Sequence, residues 1–231
     1  MKLCVCLGKD WSSVWRDYAG KADLVELRVD QMFAQSEPAT IVAANTSALA
    51  VLIAPVCEVA AGKWIFTCRG GFLDEAAQLD LLEKLLPHVP AYIDIACEPL
   101  ALSPGQQALM AWAKVQGVKL ILSFHQFEEV PEIQVLYTFS NQAFAHGADL
   151  VKIVCHCRDA GEEARLLSLY RDREHTGRII AFGMGPYGLM SRLHAAALGA
   201  PIIYLAPDHS QGTAPGQPCY TQFKNHLVNI F

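Results

Sequence analysis

Residues 147–157 read "GADLVKIVCHC", one lysine set in an apolar, thiol-rich run. An ammonium is costly to take out of water, so Lys152 in the middle of a core-like stretch calls for a reason. Its amine becomes a nucleophile when burial or a like charge strips it of a proton. A second candidate, His125 of "SFHQF", belongs to the residue type that can serve as base and then as acid near neutral pH. Charged residues recur near the ends of other apolar runs: Glu26, Arg28 and Asp30 of "VELRVD", Arg69 of "TCR", Asp94 of "YIDIA" and Arg192 of "SRL". Each has a structural reading beside the chemical one. Glu26, Arg28 and Asp30 alternate along the chain, so they share one face of a strand and could form a buried charge network. A lone histidine is more often a hydrogen-bonded structural residue. A strand lysine ordinarily snorkels at a sheet edge, which makes Lys152 hard to dismiss if its sheet has no edge.

Whether an edge exists depends on the elements that carry these residues. Eight short apolar or β-branched runs occur: "KLCVCL", "DLVELRV", "KWIFTC", "AYIDIA", "KLILSF", "DLVKIVC", "RIIAFGM" and "IIYLA". Helical patterns are expected between them, over 11–21, most of 31–61, 74–88, 104–116, 131–146, 159–173, 187–198 and 217–229. Strands this apolar are covered on both faces, so eight strand–helix units predict an α/β fold, a single (β/α)8 TIM barrel. The alternative is an open doubly wound sheet. No "GxGxxG" follows the first strand and no Walker-type loop occurs, so the nucleotide-binding open sheets lose support. In a barrel the chemistry sits at the C-terminal ends of the strands, which is where the charged residues fall.

No linker rich in Pro, Gly or Ser divides the 231 residues, and residues 1–231 are read as one catalytic domain. Hydrophobic residues at 52% and charged residues at 18% allow a sizeable core and argue against disorder. A net charge of -5 with no cluster of Lys and Arg argues against a nucleic-acid partner. No apolar stretch approaches the roughly 18 residues of a membrane span, and the N-terminal one is too short for a signal peptide. A cytoplasmic protein is expected. The eight cysteines (Cys4, Cys6, Cys57, Cys68, Cys97, Cys155, Cys157 and Cys219) sit mostly in apolar runs and read as buried thiols of a reducing compartment. "CHC" at 155–157 has no second Cys/His pair at zinc spacing, and no metal site is predicted.

Taken in order, "VELRVD", "TCR", "YIDIA", "SFHQF", "GADLVKI", "GMGPYGLMSRL" and "TAPGQ" resemble the motifs of type I 3-dehydroquinate dehydratase, the Schiff-base enzyme of the shikimate pathway. The resemblance covers almost the whole chain and implies the same barrel. It implies that Lys152 attacks the C3 ketone of 3-dehydroquinate, and that His125 removes a C2 proton and later protonates the departing C1 hydroxyl. It implies Glu26, Arg28 and Arg69 as contacts to ring hydroxyls and Arg192 as the carboxylate-binding residue, whose planar fork suits that group. Thr213 and Gln217 would belong to a loop covering the ligand. The resemblance implies no cofactor, a small-molecule substrate and a homodimer. Arg28, Arg69 and Arg192 are the charges expected around Lys152, repelling a proton from its amine.

Departures from the family pattern concern carboxylates. Members usually carry a stretch like "TxRxxxEGG", whose glutamate assists the histidine. Here "TCRGGFLDE" sets both glycines directly after Arg69. Ala96 and Gln126 stand where a Glu and an Asp are typical, Pro186 where a Glu is frequent, and Cys6 replaces a small polar residue. Two alternatives follow: a diverged homologue that does not turn substrate over or has altered specificity, and another class I aldolase-type barrel. The second leaves "SRL" and "TAPGQ" without a purpose.

Overall fold

A computed structural model describes residues 1–9, 11–32, 53–69, 73–97, 101–208, 212–214 and 216–230. Each expected apolar run is a strand: β1 Lys2–Leu7, β2 Leu24–Arg28, β3 Trp64–Thr67, β4 Tyr92–Ala96, β5 Lys119–Gln126, β6 Leu150–His156, β7 Ile179–Met184 and β8 Ile202–Leu205. All pair in parallel in the order β7-β6-β5-β4-β3-β2-β1-β8, and helices connect them, so the sheet wraps into a nearly closed barrel. Side chains span the remaining gap, where the Phe182 ring of β7 lies 6.2 Å from the Tyr204 ring of β8. Strand β6, which carries Lys152, is hydrogen-bonded on both sides, by β5 and by β7. It is therefore not an edge, and snorkelling does not explain its lysine.

The two-residue period of a strand decides which side chains enter the barrel. Cys6, Glu26, His125, Lys152, Phe182 and Tyr204 point into one cavity. Their neighbours Val5, Val25, Val151 and Ile153 are fully buried in the layer between strands and helices. The core is thus an apolar shell around an interior with a charged mouth.

Local sequence fixes the helices that close each unit. Asp74 caps Glu75–Leu85 by accepting from the Ala77 amide at 2.8 Å. Ser103 and Gln106 form a reciprocal capping box at the start of Pro104–Val115, and Asp159 caps Ala160–Leu167. The expected helix over 74–88 tightens to a 3-10 turn at Leu86–His88, because Pro87 has no N–H to continue the α pattern. The helix expected from 217 begins instead at Tyr220, since Pro218 and Cys219 extend the chain beside Ala206, whose amide donates to the Pro218 carbonyl at 2.9 Å. Of the helical pattern over 31–61, residues 33–52 lie outside the described residues.

At the N-terminal ends of the strands a regular device ties the barrel together. The Asp23 carboxylate accepts from the Leu3 amide at 2.8 Å, and that of Asp149 accepts from the Leu120 amide at 2.8 Å. Lys63 donates to the carbonyls of Ala19 at 3.0 Å and Ala22 at 3.3 Å, and Arg178 donates to those of Ala148 at 2.7 Å and Asp149 at 3.1 Å. In each case the charged residue just before one strand satisfies backbone groups around the start of the preceding strand, Lys63 also reaching the carbonyl of Ala19 at the end of the helix Trp11–Ala19.

Candidate active site

The strand register brings chemistry to the opposite end. Ser123 of β5 lies beside Lys152 of β6, Thr67 of β3 beside Asp94 of β4, and His125 two residues further along β5, opposite Val154. β5 runs two residues beyond its expected end, so His125 is held inside the strand rather than in a loop. Lys152, His125, Glu26, Arg28, Arg69, Arg192, Thr213 and Gln217 all line the same cavity at the C-terminal mouth of the barrel.

Lys152 is only 4% exposed. Its Nζ lies 2.9 Å from Asp94 Oδ2, 3.4 Å from Glu26 Oε1 and 4.0 Å from the centre of the Tyr204 ring. The neighbours expected from the sequence were arginines, and that expectation is corrected: the amine's direct charged partners are two carboxylates. Both are themselves fixed, Asp94 by the Ser123 hydroxyl at 2.5 Å and Glu26 by the Thr67 hydroxyl at 2.8 Å. Burial alone would raise the Glu26 carboxyl, but attraction to Lys152, Arg28 and Arg69 outweighs it and holds the pKa down at about 2. Asp94 is among the charged residues that the sequence puts at the strand ends, but the sequence gives it no role beside Lys152. The available signal was its place in "YIDIA", an inward position of an apolar strand, since a buried cation calls for a buried anion.

Arg69 connects these groups to the histidine. Its Nη2 donates to Asp94 Oδ2 at 3.3 Å, while its Nη1 is in short contact with His125 Nε2. Burial, and then the positive charges of Arg69, Lys152 and Arg28, push His125 well below its usual 6.5. The imidazole is therefore neutral across physiological pH. Residues 70–72, the register of the family's glutamate, lie outside the described residues.

The other predicted residues form the wall and the roof. Arg28 is engaged by Asp30 through two hydrogen bonds, at 3.0 Å and 2.6 Å. Arg192 is 1% exposed, packs over the Phe182 ring at 4.4 Å, and donates through Nη1 to the carbonyls of Gly188 at 2.9 Å, Gly183 at 3.2 Å and Gly216 at 3.3 Å. Burial lowers its pKa to about 10, which leaves it a cation at neutral pH. Gln217 Oε1 accepts from the Thr213 amide at 2.9 Å and from its hydroxyl at 3.2 Å, folding this short segment on itself. Gly216, at φ +72°, rests so closely on Gly188 that an added Cβ would come within 3.3 Å of that residue's Cα.

Comparison with known proteins matches the chain to a family. The family model of type I 3-dehydroquinase matches residues 4–230. The chain belongs to the type I 3-dehydroquinase family. A 3-dehydroquinate dehydratase of Pyrococcus abyssi is 33% identical over 205 residues, covering 86% of this chain and 83% of the relative. The crystal structure of the 3-dehydroquinate dehydratase from Aquifex aeolicus superposes with a TM-score of 0.76 at 25% identity, over 100% of this chain and 99% of that one. That of the Geobacillus kaustophilus 3-dehydroquinate dehydratase gives 0.81 at 20% identity, over 99% of this chain and 90% of that one, a likeness of fold.

Within this 3-dehydroquinase the remaining sequence signals have structural places. All eight cysteines are buried thiols, Cys155 and Cys157 among them, and Cys6 alone of the eight lines the cavity. Among the described residues, no group of three His, Cys, Asp or Glu could hold a metal ion, and no helix is long and apolar enough to cross a membrane.

Proposed function

We propose that the chain is a 3-dehydroquinate dehydratase, a hydro-lyase that converts 3-dehydroquinate to 3-dehydroshikimate through a Schiff base on Lys152 with His125 as general acid/base. The observation that carries this reading is the meeting of a buried lysine and a neutral buried histidine in one cavity walled by three arginines. The Lys152 amine adds to the C3 carbonyl, and the carbinolamine loses water to give an iminium. Asp94 Oδ2, 2.9 Å from Nζ, is the nearest acceptor for the proton the ammonium must first give up. The iminium withdraws electrons from the adjacent C2–H bond, so His125 takes that proton and leaves a neutral enamine. Collapse of the enamine expels the C1 hydroxyl as water, protonated by the same histidine, and hydrolysis frees Lys152 and the product. One neutral imidazole can serve both proton transfers, which are worth about 10²–10⁴-fold in rate.

The substrate carboxylate is the partner of Arg192, and Glu26, Arg28 and Arg69 contact ring hydroxyls beneath the Thr213–Gln217 segment. A homodimer acting in the cytoplasm belongs to the same reading and is checked by light scattering in solution and by fractionation of cells. The deciding experiment is reduction with borohydride in the presence of 3-dehydroquinate, followed by mass spectrometry. A substrate-derived adduct on Lys152, with growth of the conjugated product's ultraviolet absorbance in unreduced samples, is expected. Absence of an adduct from every lysine sinks the Schiff-base route.

One observation favours a second reading, a homologue that binds the substrate without turning it over. Among the described residues, the hydrogen-bond partner of His125 Nε2 is a guanidinium rather than a carboxylate. An imine that forms at Lys152 without any conjugated product would decide for it.

A further inference from the structure

We infer that Arg69 is a positioning residue for the base: its guanidinium caps His125 Nε2 and fixes the neutral Nδ1–H tautomer, and a substrate hydroxyl that draws the guanidinium away uncovers the nitrogen that takes the proton. This deepens the dehydratase reading and rests on it for the identity of the substrate.

The chemistry of the two groups leaves little freedom. A guanidinium has only donors, so the imidazole nitrogen it meets must be an acceptor. Nε2 then carries the lone pair and Nδ1 the proton. The fork is held from behind, because Nη2 donates to Asp94 Oδ2 at 3.3 Å, and Asp94 is itself anchored by Ser123 at 2.5 Å and Lys152 at 2.9 Å. One rigid carboxylate thus positions both reacting residues, the lysine directly and the histidine through Arg69. Charge acts in the same sense. The cations facing His125 are Arg69 from beyond β3, Lys152 from β6 and Arg28 from β2, with Glu26 and Asp94 spent on pairing Lys152 and Arg69 and Asp30 on pairing Arg28.

A capped base needs an uncapping event. Arg69 borders the cavity with its side chain 16% exposed, so a ring hydroxyl entering the cavity can compete for Nη1. The nitrogen is released when, and only when, a ligand with an oxygen at that position is bound. Arg69 acts on the histidine in the opposite sense to a carboxylate, which would favour the imidazolium, whereas the guanidinium holds the imidazole neutral.

The test is nitrogen NMR of 15N-histidine-labelled enzyme without substrate, with the His125 signals assigned by their loss in His125→Gln. The wild type should show the Nδ1–H tautomer and no protonation of His125 at pH 6. In Arg69→Gln the tautomers should mix and the titration should move up in pH. The acid limb of kcat/KM should move with it, so that activity at pH 5.5 falls severalfold more than at pH 8. Arg69→Lys, which keeps the charge but not the fork, should retain the low titration and lose the fixed tautomer. An Nε2–H tautomer in the wild type overturns the inference even if no Arg69 variant folds, and so does an unchanged titration in a folded Arg69→Gln. Borohydride trapping on the same samples separates the two claims. A Lys152 adduct with unchanged histidine signals sinks the cap alone, and shifted signals without any adduct sink the Schiff-base reading alone.

Discussion

The two ends of this barrel use charge in different ways. At the N-terminal ends of the strands, Asp23, Lys63, Asp149 and Arg178 each bond to backbone amides or carbonyls. At the C-terminal ends, Lys152, Asp94, Arg69 and Glu26 bond to one another or to side chains, around a cavity, although Arg192 there also donates to backbone carbonyls. A charge on a leftover backbone group satisfies a fixed dipole and needs nothing further. A buried network of ionised side chains is a poor route to stability, because desolvation offsets much of the attraction. On the proposed function these groups act on a ligand, so variants at the two ends should separate activity from stability.

The largest effect is expected at Lys152. Lys152→Met should abolish turnover and adduct formation. It also leaves Glu26 and Asp94 as two carboxylates in the interior without the cation between them, a loss of about 3–5 kcal/mol when one partner of a buried pair is removed. Urea unfolding would show the second effect and ultraviolet assay the first, and a variant with measurable turnover would break the contrast at its centre. His125→Gln comes next. It should still form the imine but turn over about 10²–10⁴-fold more slowly, and a full rate in the folded variant removes the histidine from the mechanism.

Legibility in the sequence follows the same division. The strands were readable because a strand covered on both faces is apolar whatever its partners, and Lys152 and His125 stood out as residue types that such strands rarely tolerate. The partners of Lys152 were not readable, since they depend on register between strands distant in sequence. Asp94 reaches the amine because β4 and β6 flank β5 and because Ser123, cross-strand neighbour of Lys152, holds the carboxylate. Sign of charge was therefore misjudged where residue type was not. The start of the last helix is hidden for a similar reason, as the Pro218 carbonyl and the Tyr220 amide bond to Ala206, a contact invisible in local pattern.

Acid should reveal the charge network of the mouth. His125 is held below its unfolded value of 6.5, so the unfolded chain binds the extra proton, and stability is lost as pH falls below about 6.5. Glu26 is depressed from 4.5 to about 2, so its contribution is present above 4.5 and lost between there and about 2, on the order of 3 kcal/mol. The urea midpoint should decline in two stages. His125→Gln should remove the upper stage alone, and a midpoint flat from pH 7 to 5 in the wild type contradicts a buried neutral histidine.

Arg178→Ala tests the other end. It removes hydrogen bonds to two carbonyls and a guanidinium lying 4.3 Å over the Phe144 ring, all close to solvent. The expected loss is about 1 kcal/mol, or about 2–4 °C in Tm, with kcat/KM unchanged, because nothing it touches reaches the cavity. A drop in kcat/KM would mean that the strand ends communicate.

The smallest effect calibrates the rest. Lys84 and Asp80 pair at 2.8 Å on the helix Glu75–Leu85, a distance as short as that from Lys152 to Asp94, but with side chains 38% and 50% exposed. Water screens this pair and hydrates both partners when they part, so Lys84→Ala should change stability by less than about 0.5 kcal/mol and activity not at all. Distance is held nearly constant between the two pairs while burial differs. If Lys84→Ala and Lys152→Met cost the same in urea, burial is not what distinguishes the mouth, and the contrast between the two ends rests on sequence position alone.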